Sequence, residues 1–197
     1  MKQMQPFKYH LILASGSPRR KELLAGLDLP FEVRVIPGVK ENYPSQLEAV
    51  RVPEYIAVEK AAAYLEMISA EDLVITADTV VICDGTVMGK PRDADEARAM
   101  LHRLSGRQHQ VVTGVCLTTL RQQRHFSVST EVAFKVLTEE EISYYITRYS
   151  PYDKAGAYGI QEWIGYIGCK GLKGSYYNVM GLPVQSLYEE LQKFQRE

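Results

Sequence analysis

The chain is predicted to be an α/β protein built on a mixed sheet, and three observations predict it. β-Branched runs alternate with stretches of helical composition along the chain. One run, Leu73 to Cys83 (LVITADTVVIC), is apolar on both faces, which marks a central strand. Two pairs of neighbouring runs are joined by short polar turns, which adds antiparallel hairpins to the sheet.

Residues 9–14 (YHLILA) read as a short strand, followed by a Ser15-Gly16 turn. Ser17 has the chemistry of an N-cap and Pro18 that of a first helical position, so a helix is expected through about Leu27. Residues 31–36 alternate as a strand, and 37–50 have turn chemistry. Pro53 opens a helix rich in Ala, Leu, Glu and Lys, expected to reach about Ser69. After the central strand, Asp84-Gly85 is a hairpin turn and Gly89-Lys90-Pro91 a loop. Asp93 to Glu96 has capping-box spacing for a helix ending near Leu104. Residues 109–120 and 125–137 form the second hairpin, around Arg121 to Arg124. Thr138 to Glu141 is again a capping box, for a helix to about Tyr149. Residues 150–182, rich in Gly and Tyr, carry no clear period, and Pro183 starts a last helix.

A length of 197 residues suits one domain, at roughly 100–200 residues each. The chain carries 23 Lys and Arg against 24 Asp and Glu, a net charge of −1, so no global cationic field draws it to nucleic acid or to a membrane. Three separated cysteines, Cys83, Cys116 and Cys169, fit neither a disulfide framework nor a zinc set. The N-terminal stretch Met1 to Ala14 has only four consecutive apolar residues, short of the about 7–15 of a signal peptide and the about 20 of a membrane span. A cytoplasmic protein is expected.

Four features look like chemistry. Ser15-Gly16-Ser17-Pro18-Arg19-Arg20-Lys21 puts three cations at a helix start, where the helix dipole disfavours them by about 0.3–1 kcal/mol each. A bound anion such as a phosphate chain accounts for them; side chains turned to solvent or paired with acids do so too. Asp78, inside the apolar strand, shares a face with Val74, Thr76, Val80 and Ile82. A buried carboxylate needs a partner, so it is either in a salt bridge with a core cation or a catalytic group or metal ligand. Lys90, held between Gly89 and Pro91, suits a phosphate contact or a solvated loop, and Lys60 and Glu41 are equally ambiguous alone. Asp153 to Gln161 (DKAGAYGIQ) places glycines beside aromatics, as near a flat ligand, with Gln161 able to read a base edge; a Gly-rich turn packed by tyrosines is the plainer alternative.

These features lie within LASGSPRRKELL (13–24), E-x-x-P (41–44), EKA (59–61), ADTVV (77–81), GKPRDADEA (89–97), LSG (104–106), HQVVTGV (109–115), DKAGAYGIQ (153–161) and GSYYNVMGLP (174–183). In that order, from about Ile12 to Leu191, they resemble the Maf family of nucleoside triphosphate pyrophosphatases. The resemblance implies an elongated, twisted mixed sheet with helices on both faces, like that of the inosine triphosphate pyrophosphatases. It implies a single domain over residues 1–197, with a cleft between two lobes. It further implies nucleotide-pool house-cleaning by hydrolysis of a nucleoside triphosphate to the monophosphate and pyrophosphate with Mg²⁺ or Mn²⁺, and a homodimer. Carried over by position, Asp78 is the general base, with Glu41, Lys60 and Lys90 catalytic beside it. Glu41 and Asp78 are the metal ligands. Ser15, Arg19, Arg20, Thr79 and Gln161 bind substrate. DKAGAYGIQ resembles the dTTP/UTP subfamily; a 7-methyl-GTP or other modified-nucleotide pyrophosphatase, or a nucleotide-binding regulator of septum formation, is the alternative. Two positions depart from the pattern. Lys40 stands where many members have an acidic residue, and Glu162 where Gly often follows the glutamine.

Overall fold

The computed structural model describes residues 7–196. Residues 1–6 and 197, which the single-domain expectation includes, lie outside the described residues, as does the first part of the stretch read as lacking a signal peptide. The elements are β1 (His10–Leu13), α1 (Pro18–Ala25), β2 (Phe31–Val33), α2 (Val52–Ala62), β3 (Asp72–Cys83), β4 (Thr86–Met88), α3 (Ala94–Leu104), β5 (Gln108–Thr118) and β6 (Gln123–Phe134). They continue as α4 (Glu139–Tyr149), α5 (Trp163–Gly168), β7 (Cys169–Lys173), α6 (Tyr176–Met180) and α7 (Val184–Arg196). The strands form one mixed sheet in the order β2-β1-β3-β5-β6-β7, with β4 paired to β3. β1 runs parallel to β2 and β3; the other pairings are antiparallel. Among the described residues no helix is long and apolar enough to cross a membrane.

β3 is the spine, buried along almost its whole length, and its alternation sorts the helices. Val80 and Ile82 pack with Val52 and Ile56 of α2, and the Thr76 hydroxyl donates to the Ala57 carbonyl at 2.7 Å. Leu73, Ile75 and Ala77 point the other way, into a cluster with Leu23 and Leu24 of α1 and Leu187, Leu191 and Phe194 of α7. Further along that same face, Val81 and Cys83 join a second cluster, with Leu101 and Leu104 of α3 and Ile142 and Tyr145 of α4. Helices therefore cover both faces, and Thr79 sits between the two clusters of one face.

The pairing of β3 opens a gap at the same place. β1 pairs with Asp72 to Ile75 and then ends, whereas β4 pairs only with Val81 to Cys83. On that side Thr76 to Val80 face no strand, while their other side is fully paired to β5. Ligands of open α/β sheets bind beyond the carboxyl ends of the strands, which is where β1 and β2 stop.

Several expected boundaries move. The strand over 31–36 ends at Val33, because β1 stops at Leu13 and leaves Val35 and Ile36 nothing to pair with. The helix expected to Ser69 ends at Ala62. There the buried Tyr64 hydroxyl donates to the Arg34 carbonyl and accepts from the Ile36 amide, a tie that a continued helix would break. The first helix ends at Ala25, with Gly26 as its cap, rather than near Leu27. At Asp93 only half of the capping box forms: its side chain accepts from the Glu96 amide, but Glu96 turns back to Arg92. The box at Thr138 and Glu141 is complete. Asp84 and Gly85 both have positive φ, 50° and 72°, the backbone that an Asp-Gly hairpin turn requires.

Candidate active site

The gap in β3 is the floor of a cleft of about 460 Å³. Its lining includes all nine expected site residues: Ser15 from the turn before α1, Arg19 and Arg20 from the first turn of α1; Glu41 and Lys90 from loops; Lys60 from α2; Asp78 and Thr79 from β3; and Gln161 from the loop before α5.

Asp78 and Thr79 are neighbours on an extended strand, so they leave by opposite faces. Asp78 emerges toward α2 and accepts from Lys60 Nζ at 2.8 Å. The same ammonium reaches Glu41 at 2.7 Å. The Asp78 and Lys60 side chains are only 12% and 13% exposed, so the salt bridge that the sequence left open as one alternative exists, and it lines a cleft. Burial by itself raises the Glu41 carboxyl, but the hydrogen bond and charge of Lys60, with Lys90 and Arg20 behind it, outweigh burial and hold it below its usual value.

Arg19 and Arg20, adjacent on α1, diverge. Arg19 reaches across the cleft to Asp153, at 2.7 Å to the carboxylate and 3.3 Å to the carbonyl. Arg20 turns inward and donates to the Gly181 carbonyl at 2.8 Å, the Ala77 carbonyl at 2.9 Å and the Thr79 hydroxyl at 3.0 Å. Burial is the largest influence on Arg20 and lowers its pKa, with Asp78 pulling the other way. The Thr79 hydroxyl continues to Thr113 at 2.9 Å, and Thr113 donates to the Asn178 carbonyl at 3.1 Å. Arg20 thus ties α1, β3 and the end of α6 together beneath the cleft, and Ser15 Oγ accepts from the Ser17 amide at 3.3 Å beside it.

The far wall is the loop 153–161. The Gly156 amide donates to the Gly89 carbonyl at 3.0 Å, which sets the Lys90 loop against this wall. Only glycine serves at 156, where φ is +66° and a Cβ would lie 2.8 Å from Val81. Gln161 Oε1 is buried without a hydrogen-bond partner. Two charges of this segment, Asp153 and Lys154, were given no role from the sequence. Lys154, 8% exposed, bonds Asp153 at 2.7 Å and Glu162 at 3.0 Å. Burial raises the Asp153 carboxyl, but Lys154 and Arg19 together bring it down to about 2. The available signal was the Asp-Lys pair opening a Gly-rich segment, which spacing alone does not bury.

Glu41 and Asp78, which meet at the Lys60 ammonium, are the carboxylates that could hold a metal. Mg²⁺ and Mn²⁺ take hard oxygen donors and are commonly held by one or two carboxylates together with substrate phosphates. Among the described residues no group of three or more acidic, His or Cys side chains gathers as a metal cage. Glu41 and Asp78 meet at one ammonium in a cleft that Arg19, Arg20 and Lys90 also line, so these two carboxylates could hold a metal together with a phosphate ligand.

The family model described as Maf, Maf-like protein, matches residues 10–194. The chain belongs to this family. The Maf-like chain is 62% identical over 186 residues to a protein of Phocaeicola vulgatus named dTTP/UTP pyrophosphatase, covering 94% of this chain and 96% of that one. It is 57% identical over 189 residues, 95% of each chain, to a Porphyromonas gingivalis protein of the same name. Among solved structures, a nucleoside-triphosphatase / dITP/XTP pyrophosphatase from Mycobacterium abscessus overlays with a TM-score of 0.46 at 16% identity, over 95% of each chain.

Proposed function

We propose that this cleft hydrolyses the pyrimidine nucleoside triphosphates dTTP and UTP to the monophosphate and pyrophosphate. The observation that carries the reading is Gln161 Oε1, a buried acceptor with no partner, on a residue that lines the same cleft as Arg19, Arg20, Lys60 and Lys90. Uracil and thymine present an N3–H donor between two carbonyls. A carboxamide meets that N–H with its oxygen and one carbonyl with its amine. Cytosine carries an acceptor at N3, so a carboxamide held with Oε1 toward N3 leaves that oxygen unmet. A buried group left unmet costs about 1–3 kcal/mol, so uracil and thymine gain roughly tenfold to a hundredfold over cytosine. The relatives named dTTP/UTP pyrophosphatase support the same reading.

On this reading Arg19, Lys60 and Lys90 stabilise the charge that grows on the phosphate chain during attack. Asp153 uses two of the five guanidinium donors of Arg19, so others remain for phosphate. Lys60 holds Asp78 by Oδ1, and Oδ2 takes the proton of the water that attacks the α-phosphorus. Pyrophosphate leaves. Glu41 would hold Mg²⁺ or Mn²⁺, with Asp78 sharing the ion only in place of acting as the free base, and the ion when bound neutralises phosphate charge and makes water more acidic. The same reading puts the chain in the cytoplasm, where its nucleotides are found and its three free cysteines stay reduced.

The test is pyrophosphate release from dTTP, UTP, CTP, GTP and 7-methyl-GTP, with Mg²⁺, with Mn²⁺ and with a chelator. Stoichiometric pyrophosphate and monophosphate are expected from dTTP and UTP, at higher kcat/KM than from CTP. No release from either with both metals overturns the proposal, and a preference for 7-methyl-GTP overturns the choice of base.

A further inference from the structure

Glu162 follows the proposed base reader, and its two carboxylate oxygens are both engaged. Oε1 meets the ammonium of Lys154 at 3.0 Å. Oε2 accepts the hydroxyl hydrogen of the fully buried Tyr145, and that hydroxyl in turn accepts from the Gly159 amide at 3.0 Å. The Glu162 amide donates to the Gly159 carbonyl at 3.0 Å. Residues 159–162 are thereby closed into a ring through the Tyr145 side chain, with Gln161 inside it. Gly159 is required beneath it: a Cβ there would lie 2.9 Å from the Glu162 carboxyl carbon and 3.1 Å from the Lys154 side chain. From Lys154 the charges run on through Asp153 to Arg19 on the opposite wall.

We propose that Glu162 is a positioning residue for base selection: held by Lys154 and Tyr145, it fixes the turn that presents the Gln161 carboxamide to the cleft. The proposal rests on the reading of Gln161 as the group that meets the base. Neutralising Lys154 does not by itself call for Glu162, because Asp153 already contacts that ammonium at 2.7 Å. What Glu162 adds is the link from that ion pair to the turn. Glutamine at 162 has one oxygen where the carboxylate has two: with that oxygen on Lys154 the Tyr145 hydroxyl loses the acceptor for its hydrogen, and with it on Tyr145 the Lys154 contact is lost. A looser turn lets the carboxamide rotate, and a rotated carboxamide accepts cytosine as readily as uracil.

The experiment compares Glu162→Gln and Tyr145→Phe with the unchanged protein, each also in a Gln161→Ala background. The kcat and KM are read for UTP and CTP, and Kd for their non-hydrolysable α,β-imido analogues. Each single variant is expected to lower the UTP-to-CTP ratio of kcat/KM about 5- to 20-fold, mainly by raising KM for UTP. In the Gln161→Ala background the same changes leave the ratio where it is. A purely structural role gives an equal loss on both nucleotides, which overturns the proposal, as does an unchanged ratio. Tyr145→Phe leaves every charge in place and decides the matter if Glu162→Gln does not fold. If the unchanged protein releases no pyrophosphate, the proposed reaction fails separately. The analogue Kd ratio then decides, its loss in the variants upholding the positioning role and its persistence overturning it.

Discussion

Asp78 is where the two alternatives left by the sequence meet, since it is both salt-bridged and exposed to a cleft. Asp78→Asn keeps an oxygen for Lys60, and Glu41 still contacts that ammonium. The stability loss should therefore stay well below the about 3–5 kcal/mol of an orphaned buried charge. Pyrophosphate release should fall about 100-fold or more. Turnover near that of the unchanged protein, in a variant with a cooperative melt, would remove Asp78 from the reaction. Arg19→Ala makes the complementary case. Its ion pair with the half-exposed Asp153 is worth little, and a cation at a helix start is unfavourable, so Tm should hardly move. KM for dTTP should rise and kcat fall, because phosphate charge changes during attack. A Tm loss in step with the activity loss would mark a structural pair instead. Arg19, Lys90 and Gln161 drew notice beside glycines and prolines and Asp78 as a charge in an apolar strand, whereas Glu41, Lys60 and Thr79 were assigned a role only through the resemblance to the Maf family. The division of labour between Arg19 and Arg20 was not legible. Adjacent helical residues point in different directions, and only the carbonyls of Ala77 and Gly181 show that Arg20 turns inward.

At the scale of elements, α2 sets Lys60 because it lies directly on β5. A Cβ at Gly114, the residue paired with Asp78, would be 2.2 Å from the Glu54 amide nitrogen. That neighbour is backbone, so the helix itself must move. Gly114→Ala should cost at least about 1–3 kcal/mol and lower activity beyond the loss of folded protein, as Lys60 shifts off Asp78. Equal Tm for the two proteins would mean that α2 floats freely over the sheet. Helix starts were readable from Ser17, Asp93 and Thr138, because a cap is a local event that the sequence spells out. The end of α2 depends on Tyr64 finding Arg34 and Ile36, about thirty residues away, which no local rule records. β7 (CKGLK) was missed for a related reason. It is an edge strand paired only to β6, so it has little apolar alternation to show.

For the whole molecule, acid sensitivity divides into two windows. His109 is 3% exposed, between Phe134 and Tyr158, and burial lowers it from 6.5 to about 4. The unfolded chain takes up this proton first. The stabilisation from keeping His109 neutral is therefore complete above about pH 6.5 and is lost as pH falls toward 4, by about 3 kcal/mol. Asp153, folded near 2, stabilises above its unfolded value and loses that contribution only as pH falls from about 4 through 2. Chemical denaturation from pH 7 to 4 should show a fall in stability that His109→Gln flattens; an unflattened slope would assign the window to other groups. The α/β class and the central strand were legible because composition and alternation act over the whole chain. The gap in β3 was not, because it depends on where β1 stops and β4 begins.

That gap also bears on solubility. Open strand edges invite other chains to pair with them, and Val- and Ile-rich segments of six or seven residues are the ones that stack into fibrils. Five residues, Thr76 to Val80, face no strand between two paired stretches, with only the Ala77 carbonyl met by Arg20, and Asp78 is the only charge from Leu73 to Cys83. The carboxylate assigned to the reaction thus also interrupts a long apolar, β-branched run, as a gatekeeper charge does. Asp78→Asn should scatter more light on refolding than Arg19→Ala at equal protein concentration, however similar their melting temperatures.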